Sequence, residues 1–524
     1  MAEGHYRGSR LIKNSVLNIL NSLITIVVTT ITSIVVARIL KPDNYGIYNL
    51  ILWFTGIFTW AVGMGLTHAV TKYISEYQGR GEHENVSAIV VFVLKIELVL
   101  TIAVTAILIF FKTEVADYFF SPNEAFYFFL AFIGLVPGIV TAIFSSAIDG
   151  LQKFEYFTWF QIIVTPLSFA SKLVVLYLGF RIDGLLVVSL VFSFINVIFF
   201  YFVLRREEIS LNIFANPLKK EIRTKIGKYN ATVAAILVAD KVVWDKSENF
   251  FLGRFCSAAQ IGFYNLGFNV VQRFMSVLPS TFWRVLFPAM SGYFGSGDHD
   301  KIRRLFYLSI RYLAFFAFPA GVMGILLSYQ ILHYLYGHEY VGAKFVMQIL
   351  FFSSMFSCLS KPSSAILYGT ERQSFILKYG MVLAVVNIAL DILLIKHYGA
   401  LGAAICYAAV TIAGSTGGLI YTARIHSLNF PFKSLFKIVF STIIMAISME
   451  IILKQNPYLP GFILSVVVGA FVYFVSSIVL GGFEDEDYLI MQSVQTAFPG
   501  KMGRPLAACI GFLSQFKDQE GRKG

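Results

Sequence analysis

Charge is what this sequence has least of. Asp, Glu, Lys and Arg make up 14% of its 524 residues, against about 25% in an ordinary soluble domain, which excludes a soluble multidomain enzyme. Cysteine is nearly absent. Cys256, Cys358, Cys406 and Cys509 stand far apart, three of them in or beside apolar runs, so they offer neither a disulfide framework nor a metal-ligand spacing. They read as small buried hydrophobes, and no metal or cofactor is expected. A signal-peptide cleavage site is missing as well. Arg7, Arg10 and Lys13 precede an apolar run from Ser15 to about Leu40, which is too long for a signal-peptide core and is kept as a first membrane span.

Hydrophobic residues are abundant, at 57% of the chain. Apolar runs of spanning length fall at about 15–38, 46–70, 87–111, 125–148, 157–180, 184–204, 229–252, 259–287, 306–328, 345–368, 375–395, 401–423, 434–453 and 460–481. The expected fold is an all-α polytopic membrane protein with fourteen transmembrane helices. The seventh run is the weakest, interrupted by Asp240, Lys241, Asp245, Lys246 and Glu248. Charge placement retains it. Lys and Arg at the termini and in the even-numbered loops outnumber those in the odd-numbered loops roughly threefold, as expected if both termini are cytoplasmic. Dropping the seventh span would scramble that pattern. Most of the net charge of +12 is therefore topology, including the run Lys219, Lys220, Arg223, Lys225 and Lys228 facing an anionic leaflet, and no nucleic-acid partner is implied.

The chain also repeats itself. RILKPDNYGIYNL from Arg38 and RFCSAAQIGFYNL from Arg254 share Arg, Gly, Tyr, Asn and Leu at an offset of 216. Ser75, Tyr77, Gly79 and Gly81 match Ser291, Tyr293, Gly295 and Gly297 at the same offset. At a slightly different offset, the Ile-Asp-Gly ending at Gly150 resembles the Leu-Tyr-Gly ending at Gly369. Six spans per copy keep both copies in one orientation, which predicts two parallel six-helix lobes, related by a pseudo-twofold along the membrane normal, plus two extra helices. The expected divisions are an N-lobe at 1–210, a basic cytoplasmic linker at 211–228, a C-lobe at 229–430, spans thirteen and fourteen at 431–481, and a cytoplasmic tail at 482–524. Such lobes enclose a cavity that rocking exposes to each side in turn, which is transporter architecture. The turn chemistry of Pro42, Asp43 and Asn44 suits an outer connection, with Tyr45 and Tyr48 in an interfacial aromatic belt.

Candidate cavity residues follow from the cost of polar groups in hydrocarbon. Asn14, Asn18, Asn21, Thr25, Thr29 and Thr32 are spaced by four, three, four, four and three, so they share one face of the first span, which should look onto a partner helix or a wet cavity. Intramembrane cations are Lys95, Lys172, Lys241, Lys246, Arg273, Arg284 and Lys361. Lys95, Lys172 and Arg273 lie nearest mid-span and could meet an anionic head group. Asp240, Asp245 and Glu248 in span seven, and Asp391 in span eleven, are candidates for proton or sodium coupling, because an intramembrane carboxylate must be protonated, paired or cation-bound.

The segments ARILKPDNYGIYNL at 37–50, KYISEYQGRGE at 72–82 and FFLGRFCSAAQIGFYNL at 250–266 resemble the polysaccharide flippases (Wzx-like oligosaccharide-lipid transporters) of the multidrug/oligosaccharidyl-lipid/polysaccharide exporter superfamily. The resemblance covers about residues 10–480. It implies V-shaped inward-open and outward-open states, and export of a polyprenyl- or dolichyl-diphosphate-linked oligosaccharide from the inner to the outer leaflet for polysaccharide or glycoprotein assembly. Also implied are a cationic central cavity, filled by analogy by Lys95, Lys172 and Arg273, glycan-assembly enzymes as partners, a monomeric state and a prokaryotic plasma-membrane location. A departure lies in span seven, where Glu248 stands for the acidic residue often seen there and Asp240, Lys241, Asp245 and Lys246 are additional. The alternative within transport is a multidrug or lipid-precursor exporter. A membrane glycosyltransferase or polymerase would need paired carboxylates or a metal site on a long outer loop, and the outer loops are short.

Overall fold

A backbone in hydrocarbon must satisfy its own N–H and C=O groups, and a helix does so within one segment. The computed structural model describes the backbone of residues 2–63, 65–212, 218–244, 247–370, 372–484 and 487, and their side chains apart from 2–24, 154, 232–233, 235–244, 277–278, 284–285 and 373. Every regular element among the described residues is helical. In chain order these are α1 (Ala2–Gly63), α2 (Leu66–Gly79), α3 (His83–Phe110), α4 (Lys112–Phe119), α5 (Ala125–Ile133), α6 (Leu135–Gly150), α7 (Phe154–Tyr177), α8 (Ile182–Arg206) and α9 (Lys220–Trp244). There follow α10 (Glu248–Phe255), α11 (Ala258–Met275), α12 (Val277–Gly295), α13 (His299–Gln330), α14 (Lys344–Leu359), α15 (Lys361–Gly369), α16 (Gln373–His426), α17 (Phe432–Gln455) and α18 (Leu459–Val479).

Ten helical stretches among the described residues are long and apolar enough to cross a membrane, so the chain is a multi-pass membrane protein. Fourteen were expected, and the shortfall has visible causes. Two stretches are double-length, Thr25–Gly63 and Ser374–His426. The first is broken at Lys41 (φ 62°, ψ 168°) and the second at Gly399 (φ 56°, ψ −132°). Gln260 Oε1 accepts the amide of Ala400 at 2.9 Å, so a side chain satisfies a backbone group beside that break. The runs expected at 229–252 and 259–287 are not among the ten. Charges dilute the first, and Gln260, Asn265, Asn269, Gln272 and Arg273 the second. Pro166 and Pro319 lie inside continuous helices.

Packing divides the chain into two compact units, the first made of Met1–Leu266, Tyr336–Gly342 and Gly380–Cys406, the second of Gly267–Leu335, Ala343–Tyr379 and Tyr407–Gly524. The first unit takes in α10 and one limb of α16, which the repeat would give to its second copy. Its core is built by α2, α3 and α6 around Ala69, Ile74, Ile89, Val93, Ile143 and Ala147. In the second unit, α12, α13 and α15 pack around Met290, Phe306, Ile310, Leu313 and Ile366. Small residues permit this closeness. A Cβ on Gly321 or Gly324 would lie 2.4 Å from Met355 or 2.5 Å from Phe351.

Equivalent positions of the repeat make equivalent contacts. Asn49 donates to the Tyr45 carbonyl at 2.8 Å, and Asn265 to the Ile261 carbonyl at 3.1 Å. Ser75 donates to the Gly150 carbonyl at 2.8 Å, where a Cβ on Gly150 would strike Ile74 at 2.8 Å. Gly369 sits against Ser291, the counterpart of Ser75, with its own absent Cβ 3.0 Å from Ser291 Oγ, but here the hydrogen bond is not kept, since Ser291 donates to the Phe287 carbonyl of its own helix at 2.9 Å.

Candidate functional site

Within the first unit the two motif copies meet. A Cβ on Gly46 would lie 1.8 Å from the Ala258 carbonyl oxygen and 2.9 Å from the Gly262 nitrogen. A Cβ on Gly262 would lie 2.3 Å from the Pro42 carbonyl oxygen and 3.3 Å from the Gly46 nitrogen. Pro42 and Ala258 are counterparts, as are Gly46 and Gly262, so one reciprocal backbone crossing joins the copies. Tyr45, expected in an aromatic belt, is 3% exposed and packs edge-on against Tyr340, whose hydroxyl donates to the Ala37 carbonyl at 2.7 Å. Tyr48 is buried too. The crossing needs apolar bulk around it, and these rings supply it where a belt would have faced lipid. Lys41, at the break in α1, pairs with Glu339 at 2.8 Å.

Beside the second motif copy lies a buried polar cluster, also in the first unit. Asp391 on α16 is fully buried, and Asn387 one turn earlier donates to Asp391 Oδ2 at 3.3 Å. Asn387 also donates to Ser247 Oγ at 2.7 Å, and that hydroxyl reaches Asp391 Oδ2 at 3.4 Å. Glu248 and Cys406 lie beside Asp391. Glu248 is buried, and its neighbour Asn249 accepts from Asn265 of the motif at 2.7 Å. Asp391 Oδ1 and Asn387 Oδ1 are buried with no hydrogen-bond donor. The Asp391 carboxylate and the Asn387 carbonyl, each with an oxygen lacking a donor, together with the Glu248 carboxylate form a negatively polarised cluster that a proton or a monovalent cation would satisfy.

Of the coupling candidates, Glu248 and Asp391 thus come together. The side chains of Asp240 and Asp245 lie outside the described residues, as do those of Asn14, Asn18 and Asn21. Thr25 is half-buried. Along the same stripe, Thr29 and Thr32 return their hydroxyls to their own helix, onto the Thr25 and Val28 carbonyls at 2.7 Å each. Lys95 is exposed on α3, Lys172 half-buried on α7 and Arg273 half-buried on α11, with Nη1 of Arg273 buried and unbonded. No ion pair joins any of these three cations to another described residue. Lys225 of the basic linker pairs with Glu76 at 3.0 Å, fastening α9 to α2. That hydrogen bond holds the Glu76 carboxyl below its ordinary range.

Two sites escaped the sequence. Glu97 on α3 is wholly buried, yet in sequence it is only the near neighbour of Lys95. In the second unit, Arg311 of α13 is 3% exposed and forms ion pairs with Glu484, at 2.6 Å, and with Asp487. Ser434 and Tyr307 donate to Glu484 at 2.7 and 3.0 Å, and Tyr312 to Asp487 at 2.6 Å. The available signal was an arginine inside an apolar run, which needs a partner, and an acidic cluster directly after the last run.

A family model described as a polysaccharide biosynthesis protein matches residues 35–344, and one described as the lipid II flippase MurJ matches residues 247–469. Stage V sporulation protein B of Bacillus subtilis (strain 168) is 23% identical over 175 residues, 33% of this chain and 34% of that protein. The probable flippase AglR of Haloferax volcanii is 23% identical over 284 residues, 53% of this chain and 56% of that protein. This chain therefore spans about a third of the first relative's length and about half of the second's. A structure of the lipid II flippase MurJ in an inward closed conformation superposes with a TM-score of 0.68 at 16% identity, covering 89% of this chain and 98% of that one, a likeness of fold.

Proposed function

We propose that this chain, which belongs to the polysaccharide biosynthesis protein family of the multidrug/oligosaccharidyl-lipid/polysaccharide exporter superfamily, is a flippase. It carries an isoprenoid-diphosphate-linked oligosaccharide from the inner to the outer leaflet by alternating access, for polysaccharide or glycoconjugate assembly. The family match over residues 35–344 carries this reading, and the fold shared with a lipid flippase supports it. The finer architecture is fourteen spans, in two parallel six-helix lobes with the divisions given above plus two helices. Its support is the breaks at Lys41 and Gly399, which turn two of the ten long stretches into four, and the equivalent contacts of the repeat. Both termini lie in the cytoplasm, by the distribution of Lys and Arg, and the family resemblance gives a prokaryotic plasma membrane. Asn14, Asn18, Asn21, Thr25, Lys95, Lys172 and Arg273 line the substrate path.

The test is translocation of a diphosphate-linked oligosaccharide in proteoliposomes holding the full chain. Delivery to the far leaflet is expected. Liposomes no faster than protein-free ones would refute the reading, and drug efflux instead would assign the chain to the exporter alternative.

We further propose that Asp391, with Asn387, Ser247 and Glu248, holds the coupling proton or sodium ion. Asp391→Asn keeps the shape and removes the charge. It is expected to slow ion-driven flipping at least tenfold while leaving thermal unfolding unchanged or shifted upward, since a buried carboxylate is replaced by an amide. Unaltered ion-driven flipping in that variant would exclude the site.

A further inference from the structure

Among the described residues, the cluster around Asp391 and the Arg311 ion pairs leave one buried acid, Glu97, without a partner. Glu97 lies fourteen residues from His83 and thirteen from Phe110, the ends of α3, which puts it about 20 Å along the helix from either end, at mid-span. It is 0% exposed, and neither carboxylate oxygen has a hydrogen-bond partner. Thr101 and Thr105 continue the same face at four-residue intervals. Thr101 is fully buried and turns its hydroxyl back onto the Glu97 carbonyl, while the Thr105 hydroxyl is buried with no partner.

Among the described residues, no ion pair joins α3 at Glu97 to a neighbouring helix: Arg223 of α9 lies over the Phe92 ring, 5.7 Å from its centroid, in the first half of α3, and Asp149 at the end of α6 is itself an acid. Residues 44–67, through the second half of α1, and 125–148, along α5 and α6, hold no Asp, Glu, Lys, Arg or His, and Tyr127 at the start of α5 is the one titratable phenol at 125–148. On α2, Lys72 sits over the Tyr229 ring at 4.0 Å and Glu76 is paired with Lys225 and Arg80, all toward the cytoplasmic end, with His68 exposed. On α1, Arg38, Lys41 and Asp43 belong to the outer turn, and on α4 Lys112, Glu114 and Asp117 follow the outer end of α3. An unpaired carboxylate here would stand uncompensated in low dielectric, at a far higher cost than an unpaired neutral acid.

We propose that Glu97 is a second proton-binding site, occupied by a proton in this conformation and emptied when α3 meets water. A metal ion does not suit it, since a hard cation wants several oxygen ligands and the Thr101 hydroxyl is committed to the backbone. The coupling role rests on the transport reading. The protonated state rests on burial alone.

The test has two arms on the full chain. Infrared difference spectroscopy in lipid should show a carboxylic-acid C=O band at neutral pH that disappears in Glu97→Gln and persists in Asp391→Asn. In proteoliposomes with an enclosed pH dye, substrate addition should move protons, and Glu97→Gln should lower that flux at least tenfold. The glutamine mimics the neutral acid, so wild-type thermal stability is expected and separates lost coupling from lost fold. Absence of the band from the wild type, or undiminished proton flux in Glu97→Gln, would overturn the proposal. If the wild type flips no glycan-lipid, the transport reading fails, while the band still decides the protonation of Glu97.

Discussion

Gly46→Ala is expected to destabilise the protein by about 3 kcal/mol or more, at or beyond the upper end of what overpacking a filled site costs. The reason is the identity of the obstacle. An added Cβ would lie 1.8 Å from the carbonyl oxygen of Ala258, and that oxygen belongs to helix backbone, which has no rotamer to escape into. Gly262→Ala meets the Pro42 carbonyl oxygen at 2.3 Å and should cost nearly as much. Gly56→Ala is the control, because nothing lies within 4 Å of its absent Cβ. Because both glycines serve one crossing, the double variant should cost less than the sum of the singles; separated sites would simply add. Thermal unfolding of the purified chain in detergent measures all four. If Gly46→Ala melts with the Gly56→Ala control, the crossing is not the close contact described.

That crossing also marks how far the sequence could be read. Arg38 to Leu50 and Arg254 to Leu266 align by residue identity alone, so the repeat was legible. That Gly46 meets Gly262, and that Gly150 and Gly369 meet Ile74 and Ser291, was not, because an offset relates positions without saying which ones touch. Span positions were legible from hydropathy, and the non-helical residues Lys41 and Gly399 fall between the runs read at 15–38 and 46–70 and at 375–395 and 401–423; what the sequence did not show is that helix resumes at once on either side of each break. Asp391 was legible as an intramembrane acid, and Asn387 lies one turn before it. Ser247, 144 residues before Asp391, became its neighbour only through tertiary packing. Glu97 was obscured by Lys95: two residues along a helix face different ways, and only coordinates show that the acid points into the core and the lysine out of it.

The buried ion cluster on α13 carries the other large effect. Arg311→Met should cost about 3–5 kcal/mol, the range for removing one partner of a buried ion pair. Methionine fills much the same volume, so the loss is charge, not bulk. Asp487, 5% exposed, would then be left with the Tyr312 hydroxyl and the Glu484 amide, and Glu484 with the hydroxyls of Tyr307 and Ser434, two negative charges sharing one small space. Arg311→Lys should recover only part of the loss, since an ammonium is a single point charge and the guanidinium spans both carboxylates with separate nitrogens. The decisive variant is the triple change Arg311→Met, Glu484→Gln and Asp487→Asn. Removing all three charges removes the repulsion along with the attraction, so the triple variant should regain most of what the single one loses. Thermal unfolding of the three proteins separates the possibilities. A triple variant no more stable than Arg311→Met would mean that the arginine acts through packing of its stem, and the ion cluster would then not be what fastens the chain after α18 to α13.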